Sequence, residues 1–149
     1  MNDISFYLPV LAYAKSWPGN AYVYHFNEPN PWDGPNKGRA SHGLDVAYFY
    51  QNYNDYLNSD ERAVAQAIAA DFLRFCHGLV PWPAVGREGL SSPYTARVYG
   101  PSSQKEITGI VSQEHEYGGR TVRTSTLPVI AQQVPPDELL KVVHIFRAS

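Results

Sequence analysis

The run Ala21-Tyr22-Val23-Tyr24-His25-Phe26 constrains this chain more than any other stretch. It is short, β-branched and aromatic, and Gly and Pro bound it on both sides, which is how a strand reads. Tyr22, Tyr24 and Phe26 fall on one face and Ala21 and Val23 on the other, so both faces carry apolar groups. Such a strand suits a parallel sheet covered above and below. Upstream, Asp3 reads as a helix N-cap, and Phe6, Val10, Tyr13, Ala14 and Trp17 recur at helical spacing as one buried face. Pro9 is tolerable only in or near a first turn, so the regular helix starts close to it, and Pro18-Gly19-Asn20 stops it. Helix then buried strand is half of a βαβ unit, and the expected fold class is α/β.

Residues 27–42 hold three prolines and no periodicity, and they end Arg39-Ala40-Ser41-His42. A loop of this length inside a compact domain is usually functional or disordered, and Trp32 with the rigid prolines favours order. A short helix is expected from about Gly43 to Tyr50, with Leu44, Ala47 and Tyr48 on one side. The clearest helix follows: Asn58 and Glu61 have capping-box spacing, and Gly78 stands where a helix-ending glycine belongs. Its expected apolar stripe is Val64, Ile68, Phe72, Phe75 and Cys76, with Asp71 and Arg74 facing out. Residues 95–99 and 107–111 read as two short strands at a sheet edge, and residues 112–134 are polar and ambiguous. Pro135-Pro136 leads into a final helix over 137–146, with Leu139, Leu140 and Val143 inward. One convincing buried strand cannot cover three or four amphipathic helices. The simplest expectation is an incomplete sheet whose remainder lies on sequence not contained in these 149 residues.

Composition narrows the partners. A net charge of −2 and scattered Lys and Arg give no electrostatic reason to expect nucleic acid or an anionic membrane. No apolar run reaches membrane-spanning length, and Met1 is followed by Asn2 and Asp3 rather than a basic and then apolar leader. Taken as it stands, the chain reads as a soluble cytosolic product, although a longer parent could be secreted. Cys76 is the only cysteine; it can form neither an internal disulfide nor a zinc site by itself, and a buried thiol is expected.

His42 ends a long loop after a buried strand and is followed by Gly43, which lets other backbone approach. Reactive groups in open α/β sheets collect just beyond the carboxyl ends of strands. A histidine there suits general-base work because its ordinary pKa lies near neutrality; a structural or merely exposed histidine is the competing reading. His25, His77, His115 and His144 read as structural. His42 with Asp45 makes a weak metal signal, lacking a third ligand nearby, and no metal or organic cofactor is expected. Asp45 at a helix start is also explained by the free N–H groups there.

Three segments taken in order change that weighting: Tyr22 to Phe26, then Pro29-Asn30-Pro31-Trp32-Asp33-Gly34, then Ser41-His42-Gly43-Leu44-Asp45. Together they resemble the C-terminal part of type-B carboxylesterases, the family that includes the cholinesterases. There an aromatic strand feeds a Trp-bearing loop ending in the triad histidine, followed by Gly, any residue and an acid. The likeness continues through the helix after Asn58, the Trp82-Pro83 turn and the final helix. It implies an α/β-hydrolase segment and hydrolysis of a small-molecule ester, with His42 as catalytic base and no cofactor. Asp45 and Gly43 are candidates to support the imidazole without touching substrate. Trp32 and Trp82 are candidates to line an acyl or alcohol pocket, wedging a loop into the core being the alternative.

In this fold the triad runs Ser, then Asp or Glu, then His. No G-x-S-x-G occurs here; Gly89-Leu90-Ser91-Ser92-Pro93 comes nearest and lacks the second glycine. The nucleophile and acid are therefore expected outside this chain, which should be inactive alone. Two alternatives accompany that expectation: a non-catalytic interaction module that self-associates through exposed apolar helix faces, and an unrelated small serine hydrolase.

Overall fold

The structure, a computed structural model, describes residues 6–85, 95–104 and 106–112, together with 129, 133–135, 137, 138 and 141. Along these the chain forms α1 (Leu8–Ser16), β1 (Val23–Phe26), α2 (Leu44–Tyr50), a 3₁₀ turn (Asn54–Tyr56), α3 (Ser59–Cys76), β2 (Thr95–Tyr99) and β3 (Thr108–Ser112). The three strands make one mixed sheet in the order β1-β2-β3, so the fold is α/β in the coarse sense. Gly100 N–H donates to the Ile107 carbonyl at 2.7 Å, closing β2 and β3 into a hairpin. The described residues fall into two compact units, one drawn from Met1–Val23, Ala84–Thr95 and Val111–Ser149, the other from Tyr24–Pro83 and Ala96–Ile110.

The second unit holds a hydrophobic core. Leu44 and Tyr48 of α2, Leu57, Val64, Ala65 and Ile68 of α3 and Tyr99 of β2 are buried together, with Tyr24, Phe26, Trp32 and Phe72 packed against them. The sequence specifies α3 at both ends. The Asn58 side chain accepts from the N–H groups of Asp60 and Glu61, and Glu61 accepts from the Asn58 N–H in return. At the other end Gly78 N–H reaches the Phe75 carbonyl and Leu79 N–H the Arg74 carbonyl, each at 2.9 Å, the paired bonds that terminate a helix.

Several expectations are corrected. Phe75 and Cys76 do not join the buried stripe of α3: both are exposed, because the core ends before the last helical turn. Asp71 faces inward rather than out, since β2 supplies partners for it: Arg97 Nε at 2.9 Å and the Tyr99 hydroxyl at 2.8 Å. Strand β2 is the middle strand rather than an edge, with Ala96, Val98 and Tyr99 buried. Strand β1 begins at Val23, and only Val23 in it is buried.

In the first unit, α1 starts where Pro9 allows, with proline in its first turn. Among the described side chains of α1, Leu11 and Ala14 are buried, whereas Val10 and Tyr13, with Phe6 and Trp17 beside the helix, are exposed. Apolar residues occur nearly all round this helix, so periodicity marked the helix without choosing its inward face. The expected N-cap Asp3, the ambiguous residues 113–128 and most of the expected final helix lie outside the described residues.

Candidate functional site

The loop from β1 to α2 is ordered by its own backbone. Asn27 N–H donates to the Tyr99 carbonyl at 2.8 Å as β1 ends. Asn30 and Lys37 form an isolated bridge, reinforced by Gly38 N–H to the Asn30 carbonyl at 2.8 Å and Asn30 N–H to the Arg39 carbonyl at 3.1 Å. Trp32 N–H donates to the Asn30 side chain, and the indole lies against Tyr53 and Tyr48 at centroid distances of 5.2 and 6.4 Å. Trp32 thus wedges the loop onto the core. Trp82 is buried beside Tyr99, at 6.4 Å between ring centroids, so it too sits in the core.

His42 emerges at the end of this loop and is exposed. Gly43, which follows, has φ +80°, a left-handed conformation that L side chains rarely adopt, so the chain turns sharply there into α2. Leu44 N–H donates to the Ser41 carbonyl and Ala47 N–H to the Gly43 carbonyl, at 3.2 and 3.4 Å, so the backbone on both sides of His42 belongs to one turn. Leu44 and Tyr48 anchor the helix in the core.

Asp45, in the first turn of α2, accepts a hydrogen bond from the Tyr24 hydroxyl at 2.8 Å. Tyr24 stands on β1, its ring edge-on to Phe72 and Tyr99 at 5.6 and 6.0 Å. Burial first, then the hydrogen bond and charge of Asp45, push the phenol pKa well above its ordinary value. Tyr24 therefore remains a donor at every physiological pH. Among the five residues singled out from sequence, the structure gathers His42, Gly43 and Asp45 into one turn and puts Trp32 and Trp82 into aromatic packing.

Sequence reasoning missed two polar groups. Tyr24 was read only as an apolar strand residue; nothing local signals its distant partner. Glu28, taken as part of a loop, is 1% exposed. Both its oxygens meet Ser102 of the β2–β3 turn: Oε2 accepts from the N–H at 2.6 Å, and Oε1 lies 2.5 Å from Oγ. A Cβ on Gly100 would stand 2.8 Å from the backbone N and Cα of Glu28, so that close approach requires glycine. Burial drives the Glu28 pKa up against the opposing effect of the Ser102 bonds, and Glu61 adds to the rise. The Tyr48 hydroxyl is buried with no hydrogen-bond partner among the described residues, and it feels the charges of Glu28 and Glu61.

Among the described residues no group of three or more His, Cys, Asp or Glu side chains is arranged to hold a metal ion, and no helix is long and apolar enough to cross a membrane. No family model, curated protein or solved structure matches this chain.

Proposed function

We propose that this chain is the C-terminal segment of an α/β-hydrolase and carries the general base of a serine carboxylesterase. The observation supporting the reading is the station of His42: exposed, on an ordered loop that leaves β1, at the turn that begins α2. A residue so placed is exposed to solvent while its backbone is held on both sides. In the proposed reaction a serine oxygen attacks the ester carbonyl while the His42 imidazole takes the serine proton. The resulting imidazolium returns that proton to the departing alkoxide, and water then repeats the sequence on the acyl-enzyme. Serine, orienting acid and oxyanion donors are contributed by polypeptide outside these residues, since the chain contains no G-x-S-x-G.

The coding sequence in frame ahead of Met1 tests the reading. A G-x-S-x-G followed by a Glu or Asp is expected, and its absence ends the proposal. In that intact protein His42→Ala should lower kcat for p-nitrophenyl acetate by about 10⁴-fold or more. The 149-residue chain alone should hydrolyse that ester no faster than free imidazole.

A second reading is favoured by α1 and the residues flanking it, where the apolar side chains of Phe6, Val10, Tyr13 and Trp17 are exposed. On this reading the chain is a non-catalytic module that self-associates through such helix faces. Sedimentation separates the two, a second copy being required here and irrelevant to the first.

A further inference from the structure

We infer that Tyr24 is a positioning residue for His42, acting through Asp45; the inference rests on the reading of His42 as general base. Helix α2 is seven residues long, and Gly43, the residue just before it, supplies no side-chain cap. A helix that short has little stability of its own, so its orientation must come from what it touches. Leu44 and Tyr48 bury one side of it, but apolar burial is non-directional and tolerates small rotations. The hydroxyl of Tyr24 on Asp45 Oδ2, at 2.8 Å, adds a directional tie between β1 and the first turn of α2. The donor end is fixed in turn, because the Tyr24 ring is set edge-on to Phe72 of α3 and Tyr99 of β2. Through this tie the turn built on Leu44 N–H to Ser41 and Ala47 N–H to Gly43 is registered against the sheet, and His42 lies inside that turn. The phenol is the donor and the carboxylate the acceptor, a charge-assisted pairing stronger than a neutral one.

Three variants of the full chain test the inference by amide hydrogen exchange and by NMR of the His42 ring. Tyr24→Phe keeps the ring and removes the hydroxyl; Asp45→Ala removes the acceptor; Asp45→Asn keeps an acceptor oxygen and removes the charge. Tyr24→Phe and Asp45→Ala should raise exchange at Leu44 and Ala47 about ten-fold or more and turn a single His42 side-chain rotamer into an averaged one. Exchange at Ile68 in α3 should stay unchanged. Asp45→Asn should retain most of the His42 order, which loss of helix-terminal charge alone would not explain. Should Tyr24→Phe fail to fold, the contrast between Asp45→Ala and Asp45→Asn carries the decision. Equal His42 order in wild type, Tyr24→Phe and Asp45→Ala overturns the inference, as does Asp45→Asn behaving like Asp45→Ala. No ester enters these measurements, so they can fail while the esterase reading stands; a missing upstream serine would remove that reading and leave the Tyr24 tie intact.

Discussion

Helices α2 and α3 pack in the same unit and are built on opposite principles. α3 is 18 residues long, carries a reciprocal cap at its start, and ends on paired carbonyl bonds, all from neighbouring residues. α2 is seven residues long, has no side-chain cap, and is held by Leu44, Tyr48 and a tie from Asp45 to a residue 21 positions away. The lesson is a division of labour. The locally encoded helix provides the platform, and the helix beside the candidate base takes its geometry from its surroundings. An element shaped from outside can hold a functional residue at an orientation its own sequence would not select.

The largest expected effect falls on the platform. Ile68→Ala removes a side chain 1% exposed at the centre of the core, and should cost about 2–5 kcal/mol in urea unfolding. Both helices should lose protection together; α2 melting well before α3 in wild type would break the picture of one shared core.

A smaller effect is expected where the loop to His42 begins. Glu28→Ala leaves the Ser102 N–H without its acceptor and should cost about 1–3 kcal/mol. Glu28→Gln keeps an acceptor for that N–H and removes the buried charge. The folded state raises the Glu28 pKa above its ordinary value of 4.5, so it binds the proton more tightly than the unfolded chain does. The stability due to this group is therefore fully present below that ordinary value. It is lost as pH rises through the window up to the raised pKa. Relative to wild type, Glu28→Gln should gain stability across that window and then hold the difference. A wild-type curve parallel to that of Glu28→Gln from acid to neutral pH would show that no such charge is buried.

The smallest pair sharpens the contrast of the two helices directly. Asn58→Ala should cost about 1 kcal/mol, since it deletes the acceptor for two N–H groups at the start of α3. Ser41→Ala, before the uncapped start of α2, should stay within about 0.5 kcal/mol. Equal costs would mean that α2 has a cap after all.

What the sequence made legible follows the same division. The caps of α3 were readable because donor and acceptor lie within one turn of each other, and β2 was readable because Thr95 to Tyr99 alternates over a short apolar run. The turn of His42, Gly43 and Asp45 was readable as a contiguous motif. Partners fixed only by the fold were not. Asp71 looks like an outward charge until Arg97 and Tyr99 are brought to it across 26 and 28 positions. Glu28 looks like a loop residue until Ser102 arrives from 74 positions away. Cys76 has helical spacing with Phe72 and Ile68, yet spacing does not tell how far a core extends along a helix. For α1 the pattern was apolar on too many sides to choose between Leu11 with Ala14 and Tyr13 with Trp17.

The two ends of α2 carry one more consequence. Gly43 and Gln51, which flank it, both have positive φ, at +80° and +56°. A slip of one residue toward the C-terminus would force Leu44 into a left-handed slot, at about 1–2 kcal/mol by steric crowding alone. Rewinding the helix to absorb changes in chain length is thus disfavoured. An inserted or deleted residue between Phe26 and Ser41 must be taken up as slack in the loop, and the imidazole keeps its place on the spool.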